Sequence, residues 1–130
     1  MKKISLLLTL TVPLLFALQS ETFIDSKTGL QWQDDKSTKE VKKRWNEALL
    51  YCANLEYLNH KDWRLPSQEE LVDLYTKESN LVNLTSSRYW SSTEYTIEPS
   101  RAVNVGFFDG HVGRSGKSSR LYIRCVRNKQ

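Results

Sequence analysis

Cysteine and histidine, from which most protein metal centres are built, occur only twice each among the chain's 130 residues. Cys52 and Cys125 lack the paired spacing of a zinc site, and His60 and His111 stand isolated as surface residues, so no metal site is indicated. Proline is nearly as scarce, at three. No Pro-rich linker, low-complexity tract or internal repeat divides residues 21–130, which excludes a second domain. There is one long apolar run, Ile4 to Phe16, and a membrane anchor is its weaker reading: a span takes ~20 apolar residues, and Pro13 interrupts this shorter stretch. No cysteine near its end could carry a lipid. With Lys2 and Lys3 before it and the small residues of Ala17 to Ser20 after it, the run reads as a removable export signal over residues 1–20. The expected mature domain is 21–130, periplasmic or secreted.

That domain keeps all four tryptophans and six tyrosines, enough to build a compact core. Losing Lys2 and Lys3 lowers the formal net charge from +4 to +2, too mild a balance for a nucleic-acid partner. In an oxidising compartment the two cysteines favour one intramolecular disulfide, Cys52 to Cys125; two free thiols or an intermolecular bridge are the alternatives. Closing so long a loop is worth about 4 kcal/mol in the chain-entropy description.

Thr22 to Ile24 predicts a first strand, Asp25 to Gly29 a tight turn, and the alternation of Leu30 and Trp32 with Gln31 and Gln33 a half-buried second strand. Ser37 with Glu40 matches a capping box. The spacing of Val41, Trp45, Ala48, Leu49, Cys52 and Leu55 then predicts a helix with Cys52 on its buried face and the basic run Lys36 to Arg44 on its exposed side. A second capping box, Ser67 with Glu70, opens a helix with Leu71, Leu74 and Tyr75 inward. From Tyr89 onward the pattern is extended: Tyr89 to Thr93, then Val103, Val105 and Phe107, an Asp109-Gly110 hairpin turn, a returning strand from His111 to Arg114, a loop from Ser115 to Ser119, and a last strand from Leu121 to Arg127. Early helices and a late sheet point to an α+β domain with two helices and a mainly antiparallel β-sheet.

The chain resembles the Lcl C-terminal domain family over nearly all of residues 21–130. The resemblance is carried by Asp25, Thr28-Gly29-Leu30-Gln31-Trp32-Gln33, Trp45, Ala48 and Cys52, then Asp62-Trp63-Arg64-Leu65-Pro66-Ser67 with Glu70-Leu71. Tyr89-Trp90-Ser91-Ser92-Thr93-Glu94, the Val103 to Gly110 strand and turn, and Arg124-Cys125-Val126-Arg127 complete it. It implies a fold similar to C-type lectin-like domains and to the formylglycine-generating enzyme group, and, for the adhesin that names the family, binding of sulfated polysaccharides. The collagen-like Gly-X-Y stalk is missing here, so the trimer and its avidity are not implied.

Physical chemistry assigns much of this signature to structure. The four tryptophans, Trp32, Trp45, Trp63 and Trp90, fall on the apolar sides of their elements and read as core anchors rather than sugar platforms. Arg64 is expected to pair with Asp62, Glu70 or Glu94, and Ser91 to Thr93 to supply turn and strand hydroxyls. Gly116-Lys117-Ser118 lacks the preceding glycine of a phosphate-binding loop, and Gly113 to Gly116 lacks the spacing of a nucleophile elbow. A calcium site would have only Glu94, Glu98 and Asn104 to draw on. Asn83-Leu84-Thr85 fits a glycosylation pattern, which is without significance in the bacterial setting that the resemblance implies.

What remains is basic charge: Arg114, Lys117, Arg120, Arg124, Arg127 and Lys129, with no acid after Asp109. Arg114, Lys117 and Arg120 are expected around the last loop, with Arg124 on the same face as Arg120, as a site for acidic or sulfated polysaccharide. A solvated edge that discourages strand pairing is the plain alternative. The expectation is therefore a non-enzymatic, cofactor-free binding or cell-envelope interaction module. The alternatives are an enzyme of the formylglycine-generating type, which would need an accessible cysteine pair, and a structural envelope protein.

Overall fold

The structure, a computed structural model, describes residues 21–129, so the expected export signal lies outside the described residues. Strands β1 (Thr22–Asp25) and β2 (Leu30–Gln33) form a hairpin, and β8 (Val126–Asn128) adds antiparallel to β2, making a three-stranded sheet in the order β1-β2-β8. The other sheet has five strands in the order β3-β7-β4-β5-β6: β3 (Lys42–Lys43), β4 (Arg88–Glu94), β5 (Arg101–Gly106), β6 (Val112–Gly116) and β7 (Leu121–Tyr122). All its pairings are antiparallel except β4 with β7. Helix α1 (Trp45–Ala53) and helix α2 (Gln68–Tyr75) complete the α+β architecture.

The period-two alternation of β4 and β5 explains where the helices go. Tyr89 and Val105 are register partners and share one face, packed with Leu71 and Leu74 of α2, Phe107, Trp32 and Val126. Trp90 and Ala102 look the other way and pack with Trp45, Ala48 and Cys52 of α1, Trp63, Leu65 and Ile123. Both faces of the sheet centre are therefore dry, and each tryptophan is an anchor, none more than 5% exposed. The indole N–H groups find carbonyls: Trp45 donates to Ser91 at 2.8 Å and Trp90 to Lys43 at 2.8 Å. Between β5 and β6 the expected turn forms with Gly110 at φ 77°, where a Cβ would sit 2.6 Å from the Tyr75 ring.

Four local expectations are corrected. Strand β2 is buried throughout, not on one side, because Gln31 and Gln33 are consumed by internal bonds: Gln31 Oε1 accepts from Arg127 and Gln33 Oε1 from the Cys125 amide. The first helix begins at Trp45, not near Ser37. Ser37 bonds Asp35 and Gln33 instead of capping, Lys36–Lys39 forms a 3-10 turn, and Lys42–Lys43 is drawn into β3 by pairing with β7. The start is fixed by Glu47, whose carboxylate accepts the Arg44 amide at 3.0 Å. At the other end, β6 continues through Ser115 and Gly116 before the loop begins. The expected last strand is two strands: β7 lies in one sheet and β8 in the other, with Ile123-Arg124-Cys125 crossing between them.

That crossing is the structural hinge-pin of the domain. Cys52 on α1 and Cys125 form a disulfide, Cα atoms 5.5 Å apart, both residues fully buried. The capping box of α2 forms as read from the sequence, Ser67 Oγ accepting from the Glu70 amide and the Glu70 carboxylate from the Ser67 amide at 2.8 Å. The same carboxylate takes both terminal nitrogens of Arg64 at 2.8 Å, one of the pairings expected for that arginine.

Candidate basic binding surface

Pairing of β3 with β7 sets Lys42 opposite Tyr122 and Lys43 opposite Leu121, and Arg44 and Arg120 flank this two-residue pairing at one end. Directly opposed residues project to one side of a sheet. Lys42 Nζ stands 5.4 Å from the centre of the Tyr122 ring, which itself packs on the buried Tyr89, and Lys42, Arg44 and Arg120 lie on or next to the β3–β7 edge. All three are exposed. The loop leading to Arg120 is docked on the start of α1, where the Lys117 carbonyl accepts the Trp45 amide at 3.1 Å. Lys117 Nζ lies 4.4 Å from the Trp45 ring and 3.4 Å from Glu94, its stem resting on the indole.

Two acids stand at this cluster, Glu94 beside Lys117 and Glu47 beside Arg44. Glu47 is 3.6 Å from the Arg44 guanidinium, and its carboxyl is held below the usual carboxylate range, first by the Arg44 amide bond and then by the fields of Arg44, Arg120 and Lys43. Two basic segments far apart in sequence thus form a single cationic edge. Sequence periodicity did not reveal the β3 half, since a two-residue strand has no period and exists only through its non-local partner.

The structure separates the residues expected to act together. Lys117 and Arg120 belong to the edge just described. Arg114 is exposed but lies on β6, three strand spacings and about 14 Å from β7. Its guanidinium stacks 4.7 Å over Tyr95. Arg124 is not at the surface at all. It is 1% exposed, and its Nη1 donates to Asp34 Oδ1 at 2.9 Å and to the Gln33 carbonyl at 2.6 Å, while Nη2 donates to the Asn83 carbonyl. Its expected place beside Arg120 required an unbroken last strand, and the crossing between sheets turns it inward. Arg127 is likewise internal, bound to Asp62 at 2.6 Å and to Gln31 at 2.7 Å.

Other candidate groups are occupied by structure. Asn104 is buried between Arg88 and Ser115, both at 2.8 Å, and cannot join Glu94 and Glu98 around a cation. Among the described residues no group of three or more His, Cys, Asp or Glu lies close enough to hold a metal ion. Ser91 donates to the Val103 carbonyl, and Thr93 accepts the Gln68 amide. Asn83 serves Asp34 and Arg124, giving the glycosylation-like triplet a structural role. His111 is exposed and pairs with Asp109 at 2.8 Å; His60, expected at the surface, is half-buried because it closes a bridge with Tyr57.

The motif residues named above, from Asp25 through Arg127, fall within one family match: the Lcl C-terminal domain over residues 21–127. The chain belongs to that family. A search of curated proteins finds no match. Among solved structures, the Lcl C-terminal domain is similar to EMS16, an antagonist of the collagen receptor integrin α2β1, at 13% identity and a TM-score of 0.54, over 84% of this chain and 98% of that one. This likeness establishes the C-type lectin-like fold. The disulfide agrees with an extracytoplasmic setting, and among the described residues no helix is long and apolar enough to cross a membrane.

Proposed function

We propose that this Lcl C-terminal domain is exported and binds an acidic polysaccharide of the cell envelope or its surroundings along the β3–β7 edge. The observation that carries this is the convergence of Arg44 and Arg120, from segments far apart in sequence, on the carboxylate of Glu47. Two guanidinium groups gathered around one carboxylate leave an excess of positive charge, and like charges held close together cost free energy. An anionic polymer supplies the missing counter-charge, and arginine's fork suits sulfate and carboxylate groups. Lys42 and Lys117 extend the strip on either side.

The domain acts as a binder rather than an enzyme. Oxidase chemistry of the formylglycine-generating type needs an accessible cysteine pair, and here both cysteines are locked in a disulfide at the centre of the core. The test is retention of the purified, oxidised protein on immobilised sulfated and neutral polysaccharides at physiological salt. Retention on the sulfated matrix alone is expected, and Arg44→Ala with Arg120→Ala is expected to abolish it. Arg114→Ala, three strands away, is expected to change it little. Retention unaffected by the double substitution would overturn the assignment.

A further inference from the structure

Four arginine–carboxylate pairs occur among the described residues, and three of them are hydrogen bonded. Arg64 takes Glu70 at 2.8 Å, Arg124 takes Asp34 at 2.9 Å and Arg127 takes Asp62 at 2.6 Å. The fourth differs. Arg44 and Glu47 stand 3.6 Å apart, too far for a hydrogen bond, and each side chain is nearly half exposed. Water competes for such a pair, and exposed pairs of this kind contribute little to stability. It is the arginine–carboxylate contact of this fold most readily exchanged for another.

The two oxygens of Glu47 divide their tasks. Oε1 accepts the Arg44 amide at 3.0 Å and so caps α1, while Oε2 is the atom that faces the Arg44 guanidinium. The cap tethers the carboxylate, so it stays at the edge when the longer arginine side chain moves. Its charge is present throughout the neutral range, because the Arg44 amide and the fields of Arg44, Arg120 and Lys43 hold the carboxyl below its ordinary value. Glu94 has no such tether among the described residues. It is 64% exposed, its one described bond is to Lys117 at 3.4 Å, and it is free to turn away from an incoming anion.

We infer that Glu47 is an intramolecular competitor of the anionic polysaccharide: its Oε2 holds the Arg44 guanidinium in the free protein, and Arg44 leaves it for a sulfate or carboxylate group of the polymer on binding, while Oε1 keeps α1 capped. This deepens the polysaccharide reading and rests on the β3–β7 edge being the binding surface. The same residue thus supports the site and weakens it. The helix start that positions Arg44 depends on a carboxylate, and that carboxylate is the first anion Arg44 meets.

Titration of soluble dextran sulfate into the oxidised protein at physiological salt tests the inference. Glu47→Gln keeps an acceptor oxygen for the Arg44 amide and replaces Oε2 with a donor that cannot hold a guanidinium. It is expected to bind about two- to fivefold more tightly than wild type, the range that an exposed ion pair spans. Two variants separate this from a change of net charge. Glu94→Gln removes an untethered acid from the same edge and should gain less, and Glu69→Gln, on the exposed side of α2, should bind like wild type. A Glu47→Gln protein that binds no more tightly than wild type, or gains no more than Glu94→Gln, would overturn the inference and leave the polysaccharide reading standing, provided that Arg44→Ala with Arg120→Ala still abolishes binding. Dextran sulfate bound by neither wild type nor Glu47→Gln would overturn both.

Discussion

Asp34 ties the end of β2 to the loop that precedes β4. Its carboxylate accepts the amides of Val82 and Asn83 at 2.7 and 2.9 Å and pairs with Arg124, while its carbonyl takes Asn83 Nδ2 at 2.6 Å. Both members of the pair are excluded from water. Removing the acid alone strands a buried guanidinium, so Asp34→Ala is expected to lower unfolding stability by about 3–5 kcal/mol, measured by urea denaturation. Replacing both partners with apolar residues should cost less than the single change. None of this was readable from a C-terminal run of basic residues. Arg124 and Arg127 carry the same charges as Arg114 and Arg120, and only the fold turns the first two inward. A second residue-scale expectation concerns acid. Lys77 holds the Asp25 carboxyl below its ordinary value, and Arg64 does the same for Glu70. Carboxyls depressed in the folded state stabilise it fully above their unfolded pKa values, about 4, and lose that contribution as pH falls through the depressed values. Stability should therefore decline below about pH 4, and Asp25→Asn should be less stable than wild type at pH 7 while losing less between pH 6 and pH 3.

Elements whose determinants are local are the ones the sequence foretold. Helix α2 begins where Ser67 and Glu70 say it should, and Ser67→Ala is expected to cost about 1 kcal/mol, read as a lowered thermal midpoint. The Asp109-Gly110 turn and the alternation of Val103 and Val105 likewise reappear as the β5–β6 hairpin. Elements set by distant partners did not announce themselves. Ser37 and Glu40 have the right spacing for a cap, but Ser37 is claimed by Gln33 and Asp35, and Lys42 and Lys43 by β7. The alternation of Leu121, Ile123 and Cys125 was real, yet a period of two cannot say that a chain leaves one sheet for another midway. The candidate site suffers most from this. Its C-terminal half was visible as charge, and its β3 half depends on a pairing across nearly eighty residues.

At the scale of the molecule, two sheets share one crossing segment, and the disulfide ties that segment to α1. Lys42, Arg44, Lys117 and Arg120 are brought together by elements that converge on this frame, so the cationic edge is held by the core rather than by a free loop. A site so placed is pre-organised, and its binding should be governed by charge and therefore by ionic strength. The most direct test is the affinity of the oxidised protein for a soluble sulfated polysaccharide, titrated at rising salt beside the Arg44→Ala/Arg120→Ala variant. Binding by the wild type that weakens steadily with salt, and is largely lost in a variant of unchanged fold and disulfide, is the expected result. Equal, salt-insensitive behaviour of the two proteins would contradict the assignment of the β3–β7 edge as the binding surface.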